Sequence, residues 1–80
     1  MRHSRRLIEQ VAFWHGVPVL SITSYSRLRR IDRARHDAMA AVATNCLIAG
    51  RRPSLTDIGR IFGRHHATIL AALRKSGVRD

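Results

Sequence analysis

Two groups of side chains in this 80-residue sequence could do chemistry. One is the run Arg64-His65-His66-Ala67-Thr68, where a guanidinium, two imidazoles and a hydroxyl lie close together. The other is Arg27, Arg29, Arg30, Arg33 and Arg35, followed by His36 and, further on, by Arg51 and Arg52. Both groups offer hydrogen-bond donors to oxygen and nitrogen acceptors. The arginine fork can meet a phosphate, or O6 and N7 of guanine, with two bonds at once. Across the chain 15 Lys and Arg face five Asp and Glu, a formal charge of +10, and every cation except Lys75 is Arg. Only Asp32 and Asp37 lie near the arginine run, too few to neutralise it. Such a bias in one small domain points to a polyanionic partner.

Other chemistries find little support. The histidines His3, His15, His36, His65 and His66 form no H-E-x-x-H pattern and no Cys/His set with metal spacing. His65 and His66 are adjacent, so on a helix they diverge by roughly 100° and would not readily chelate one ion. No pair of acids and no nucleophile with a base nearby can be named. The chain is therefore expected to be no enzyme and to hold no cofactor or metal. Cys46 is the single cysteine, which excludes an intrachain disulfide and suits a small core residue. No apolar run approaches the ~18 residues of a membrane span. The basic start Met1–Arg6 is followed by an apolar run broken at Glu9 and Gln10, which argues against a signal peptide. The cytoplasm, on the nucleoid, is the expected location, with no membrane partner.

The elements that must position these residues read as helices in one domain, residues 1–80. Ser54 is a good N-cap and Asp57 stands at the third helical position, a variant of the capping box. Leu55, Ile58, Ile61 and Phe62 give that helix, about 54–62, one apolar face. Gly63 marks its stop, and Gly59 is small where the next helix must cross closely. The next helix, about 65–76, buries Ile69, Leu70 and Leu73 and leaves His65, His66 and Thr68 near its start. This is a helix-turn-helix pattern, in which the start of the second helix enters the major groove of DNA. Upstream, Ser4 can cap a helix over about 5–15, with Leu7, Ile8, Val11, Ala12 and Trp14 apolar and Trp14 expected as a core anchor. Residues 18–23 read as a short helix closing over the core, with Pro18 suited to its first position. A long helix over about 30–49 has Ile31, Ala34, Ala38, Val42 and Cys46 on its inner face. Arg33 and Arg35 are expected outside that row or along its edge, and Gly50 is expected to end the helix.

SLTDIGRIFGRHHATILAALRK resembles the signature of the C-terminal DNA-binding domain of the bacterial replication initiator DnaA, S-L-x-x-I-G-x-x-F-G-x-R-D-H-T-T-V-x-x-A. RRIDRARHDAMA resembles the arginine-rich start of that domain's long helix, and IEQVAFWHGVPVLSI its first helix and the following segment. The resemblance covers about residues 7–75. It implies an all-α fold, a small helical bundle with a helix-turn-helix of the Trp-repressor/DnaA C-terminal type. It also implies double-stranded DNA as partner. Arg27 matches an arginine that enters the minor groove, and Arg64, His65, His66, Ala67 and Thr68 match the positions that read the major groove. Arg35, His36 and Thr56 match backbone contacts. Arg29, Arg30, Arg33, Arg51, Arg52, Ser54 and Lys75 complete the expected DNA-binding set.

The chain also departs from the signature. The turn is one residue shorter, His65 replaces Asp, and Ala67 replaces Thr. Asp accepts from cytosine N4, which a histidine presenting a donor cannot do. No P-loop of the form G-x-x-x-x-G-K is present, so the ATPase that accompanies this module in an initiator is not expected. The expected function is sequence-specific binding of duplex DNA as a stand-alone regulator of transcription. The alternatives are an origin-binding protein and a basic adaptor that docks on an acidic protein. A homodimer or a partner protein could complete the specificity.

Overall fold

The computed structural model describes residues 2–48 and 50–78. Five helices follow one another: α1 (Arg2–His15), α2 (Val19–Ile22), α3 (Arg29–Asn45), α4 (Leu55–Phe62) and α5 (His66–Lys75). No strand is present among the described residues, and the fold is the all-α helix-turn-helix type that the sequence implies. The expected end of α3 at residue 49 lies outside the described residues.

The axis of the domain is α3, which packs against α1, α2, α4 and α5. Its inner row is the expected one, with Ile31, Ala34, Ala38, Val42 and Cys46 all buried and Met39 and Ala43 added. Alanines in this row let the neighbouring helices approach closely. From the other helices come Ile8, Ala12, Ile22, Ile58, Phe62, Ile69, Ala72 and Leu73, and together these residues form one core. The burial of this apolar surface drives the fold, since a helix of eight or ten residues is marginal on its own.

Several expectations need correction. Helix α1 starts at Arg2, before Ser4, whose small side chain is buried inside the helix (3% exposed) and does not cap it. Trp14 is no core anchor: it is 85% exposed, as is Phe13. The buried row of α1 runs through Ser4, Ile8 and Ala12 at a spacing of four, which turns Trp14 toward solvent. Pro18 is the N-cap of α2, one residue ahead of its expected place. Helix α3 ends at Asn45, well before Gly50. Cys46 leaves the helix in an extended conformation while its side chain stays buried. Ile48 and Arg51 then exchange two backbone hydrogen bonds, at 2.7 and 3.1 Å, to close a tight reversal. Gly50 sits in that reversal at φ 78°, so its conformational freedom serves a turn and not a helix end.

Candidate nucleic-acid interface

The hairpin of α4 and α5 is built from local signals. The Ser54 hydroxyl accepts from the Asp57 N–H at 3.1 Å, and the Asp57 carboxylate accepts from the Ser54 N–H at 2.9 Å. This reciprocal cap is the expected one and satisfies two amides at the start of α4. The Ser54 amide first, and then the Ser54 hydroxyl, hold the Asp57 carboxyl below the usual carboxylate range, with smaller help from Arg60 and Arg51. At the other end Gly63 adopts φ 66°, and the Arg64 N–H returns to the Gly59 carbonyl at 2.8 Å. Gly59 is required by contact: a Cβ there would collide with the Arg64 carbonyl oxygen.

Helix α5 begins with His65 as its N-cap. Its Nδ1 accepts from the Ala67 N–H at 3.1 Å. The His66 ring lies beside it, with centroids 4.0 Å apart and planes tilted by 34°. His65, His66, Ala67 and Thr68 are all exposed. His65 and His66 share an open cleft with Thr56, Gly59, Arg60, Gly63 and Arg64. Thr56 and Arg60 are one turn apart on α4, so they fall on the same side of that helix. Arg60 is the residue that the sequence reading missed. Its spacing from Thr56 was the signal that could have found it.

A second feature joins this hairpin to the loop between α2 and α3. The Arg64 guanidinium donates to the carbonyls of Thr23 (3.2 Å), Phe62 (2.7 Å) and Ser24, and it stacks 4.7 Å from the centroid of the Tyr25 ring. From the other side Arg35 donates through Nε to Ile22 O at 2.8 Å. Its Nη2 donates to Ser24 O at 2.7 Å and Ser26 O at 3.2 Å. Its Nη1 reaches Asp32 Oδ1 at 3.3 Å. Arg35 therefore does not project outward as expected. It is 6% exposed, and its donors are committed to the loop's carbonyls. Burial moves its guanidinium below the ordinary arginine value, the charge of Arg64 lowers it further, and Asp32 opposes both. Arg27 is exposed on this clasped loop, in a cleft lined also by Tyr25, Ser26, Asp32, Arg35 and Arg64.

The remaining cations are divided. Arg33 and His36 form a third cleft with Asp37, Ala40, Lys75 and Ser76, which joins the outer face of α3 to the end of α5. Here His36 lies 3.8 Å from Asp32, and Asp37 accepts a 2.6 Å bond from His15 of α1. Arg51 and Arg52 are exposed on the loop before Ser54. Arg29 is exposed in the first turn of α3, whereas the Arg30 guanidinium donates to the Gly16 carbonyl at 2.6 Å. Among the described residues no group of three or more His, Cys, Asp or Glu side chains is placed to hold a metal ion. No helix there is long and apolar enough to cross a membrane.

The geometry thus brings together Thr56, Arg60, His65 and His66 at the tip of a helix-turn-helix, with the Arg27 loop bound to the turn through Arg64. A search of curated proteins and one of solved structures each found no match. A comparison with protein families did find one, the bacterial DnaA protein helix-turn-helix, over residues 4–75. That span takes in all of α2 to α5 and most of α1, and the chain belongs to this family of DNA-binding helix-turn-helix domains.

Proposed function

We propose that the domain reads duplex DNA in a sequence-specific manner and serves as a cytoplasmic regulator of transcription, acting by binding alone. The observation that carries this reading is the arrangement of base-reading and phosphate-binding residue types around the start of α5. His65, His66 and Thr68 are exposed there, with Thr56 and Arg60 on the adjoining helix. In this scheme Arg33, Arg51, Arg52, Arg60 and Lys75 neutralise phosphates and release counterions. Arg27 enters an adjacent minor groove, where a narrow A·T-rich segment attracts a guanidinium. Arg35 takes no part in contact and instead fixes the loop that carries Arg27. His65 and Ala67 stand where the initiator signature has Asp and Thr. They favour a target other than the initiator's own box, and hence a regulator over an origin-binding protein.

The test is selection of binding sites from random duplex DNA near physiological salt. The expected result is one enriched motif distinct from initiator boxes. Enrichment of those boxes would transfer the reading to origin binding. Tight, steeply salt-dependent binding with no motif would overturn sequence-specific reading altogether.

A further inference from the structure

His65 has two roles at the tip of α5, and a single proton links them. As N-cap it accepts the Ala67 N–H on Nδ1. A ring nitrogen that accepts a hydrogen bond carries no hydrogen, so in the neutral ring the hydrogen is on Nε2. The ring is exposed, the His66 ring lies tilted beside it, and among the described residues only Nδ1 of His65 has a hydrogen-bond partner. His65 therefore presents a donor to its surroundings. The other tautomer, with the hydrogen on Nδ1, would set a donor against the Ala67 N–H and lose the cap.

This fixes the polarity of a position that the sequence left open. An Asp here would cap the helix equally well and present only acceptors. A base reader with Asp at this position suits the N4 amino group of cytosine. With His65 capped through Nδ1, the same cytosine would meet a donor with a donor. Guanine offers two adjacent acceptors, N7 and O6, on its major-groove edge. Adenine sets a donor beside N7, and thymine a methyl beside O4.

We propose that His65 is a specificity-determining residue that donates from Nε2 to guanine in the major groove and rejects cytosine at that position. The proposal rests on the reading of the domain as a sequence-specific reader of DNA. It goes beyond that reading by naming the base and the direction of the hydrogen bond.

The experiment compares the wild type with His65→Asp in the same selection from random duplex DNA. Asp keeps the cap, so α5 is retained, and a helix-signal melt checks this. The expected outcome is a motif with guanine at one position in the wild type and cytosine there in His65→Asp, with the other positions unchanged. Affinities for the two exchanged sites should then reverse, by about tenfold in each direction for a contact of this kind. A DNA-side measurement does not depend on the variant. Replacing that guanine with 7-deazaguanine removes N7, and replacing it with 2-aminopurine removes O6. One of the two should weaken the wild type about fivefold, the effect of a single lost hydrogen bond. If neither does so, or if His65→Asp selects the same base as the wild type, the proposal is overturned while sequence-specific reading stands. If the wild type selects no motif, both fall.

Discussion

The turn between α4 and α5 and the loop between α2 and α3 are neighbours, bonded through Arg64, but they hold their shapes by opposite means. The turn is held from within. Ser54 and Asp57 cap one helix, Gly63 ends it at φ 66°, His65 starts the next, and Gly59 lets the chain return closely. The loop from Thr23 to Leu28 is held mainly from outside. Its carbonyls point inward and are collected by two guanidiniums, Arg35 from α3 and Arg64 from the turn. Ser24 O is shared by both. The difference teaches that one half of the proposed DNA-reading surface is encoded locally while the other half depends on tertiary contacts. It also means that the loop, anchored to α3 by Arg35, is tied to the turn through the single side chain of Arg64.

Six substitutions break or sharpen this contrast. The largest effect is expected from Arg35→Met. It leaves a cluster of carbonyls without their buried donor and should cost about 3 kcal/mol. For a domain of this size that lowers the thermal midpoint by roughly 10–20 °C, which a helix-signal melt would read. A loss below about 1 kcal/mol would show that water satisfies the loop as well as Arg35 does. Next is Gly59→Ala, in which the new methyl must displace the Arg64 carbonyl. About 2 kcal/mol is expected from such overpacking, together with lost DNA affinity, because the α5 start shifts with the turn. Wild-type stability for this variant would refute the close approach.

Arg64→Met should cost about 1–2 kcal/mol and loosen the loop without disturbing the turn. Its signature is non-additivity: combined with Arg27→Ala, it should weaken DNA binding little more than either change alone. Full additivity would mean that Arg64 does not position Arg27. Ser54→Ala removes a local cap and should cost about 1 kcal/mol, with the Arg27 contribution to binding unchanged.

The smallest effect is a pH dependence. The Asp57 carboxyl is held below its ordinary value in the folded chain, chiefly by the Ser54 amide and hydroxyl. Its contribution is therefore complete above the unfolded value of about 3.9 and is lost as pH falls through the folded value. Asp57→Asn lacks this titration, so its stability deficit relative to the wild type should shrink in acid. Melts between pH 6 and pH 2 would show the two curves converging, and a constant gap would refute the cap's ionic part.

The same contrast accounts for what could be read in the sequence. Ser54, Asp57, Gly59 and Gly63 signal within a few residues of where they act, so α4, its turn and the start of α5 were legible together with the family. The inner row of α3 was legible from spacing. Arg35 was not, because a charged residue beside Ala34 gives no sign that inward-facing carbonyls from a separate loop will surround it. Arg60 was passed over among many arginines, although its spacing from Thr56 placed it beside the histidines. The exposure of Trp14 follows from the buried row through Ser4, Ile8 and Ala12, which outweighs the residue's apolar type. Large apolar residues are often buried, but their type alone does not require it. Gly50 looked like a helix end and proved to belong to a separate reversal, since a positive φ serves either.

The outward placement of Trp14 has a practical consequence. It is the only tryptophan in the chain, and it is 85% exposed. Its indole is already in water in the native state, so its emission should change little when the core melts and should be quenched readily by a soluble collider. Fluorescence is then a poor gauge of folding for this domain. It becomes a clean reporter of anything that covers the end of α1, which lies outside the helix-turn-helix hairpin and can be watched while DNA is titrated.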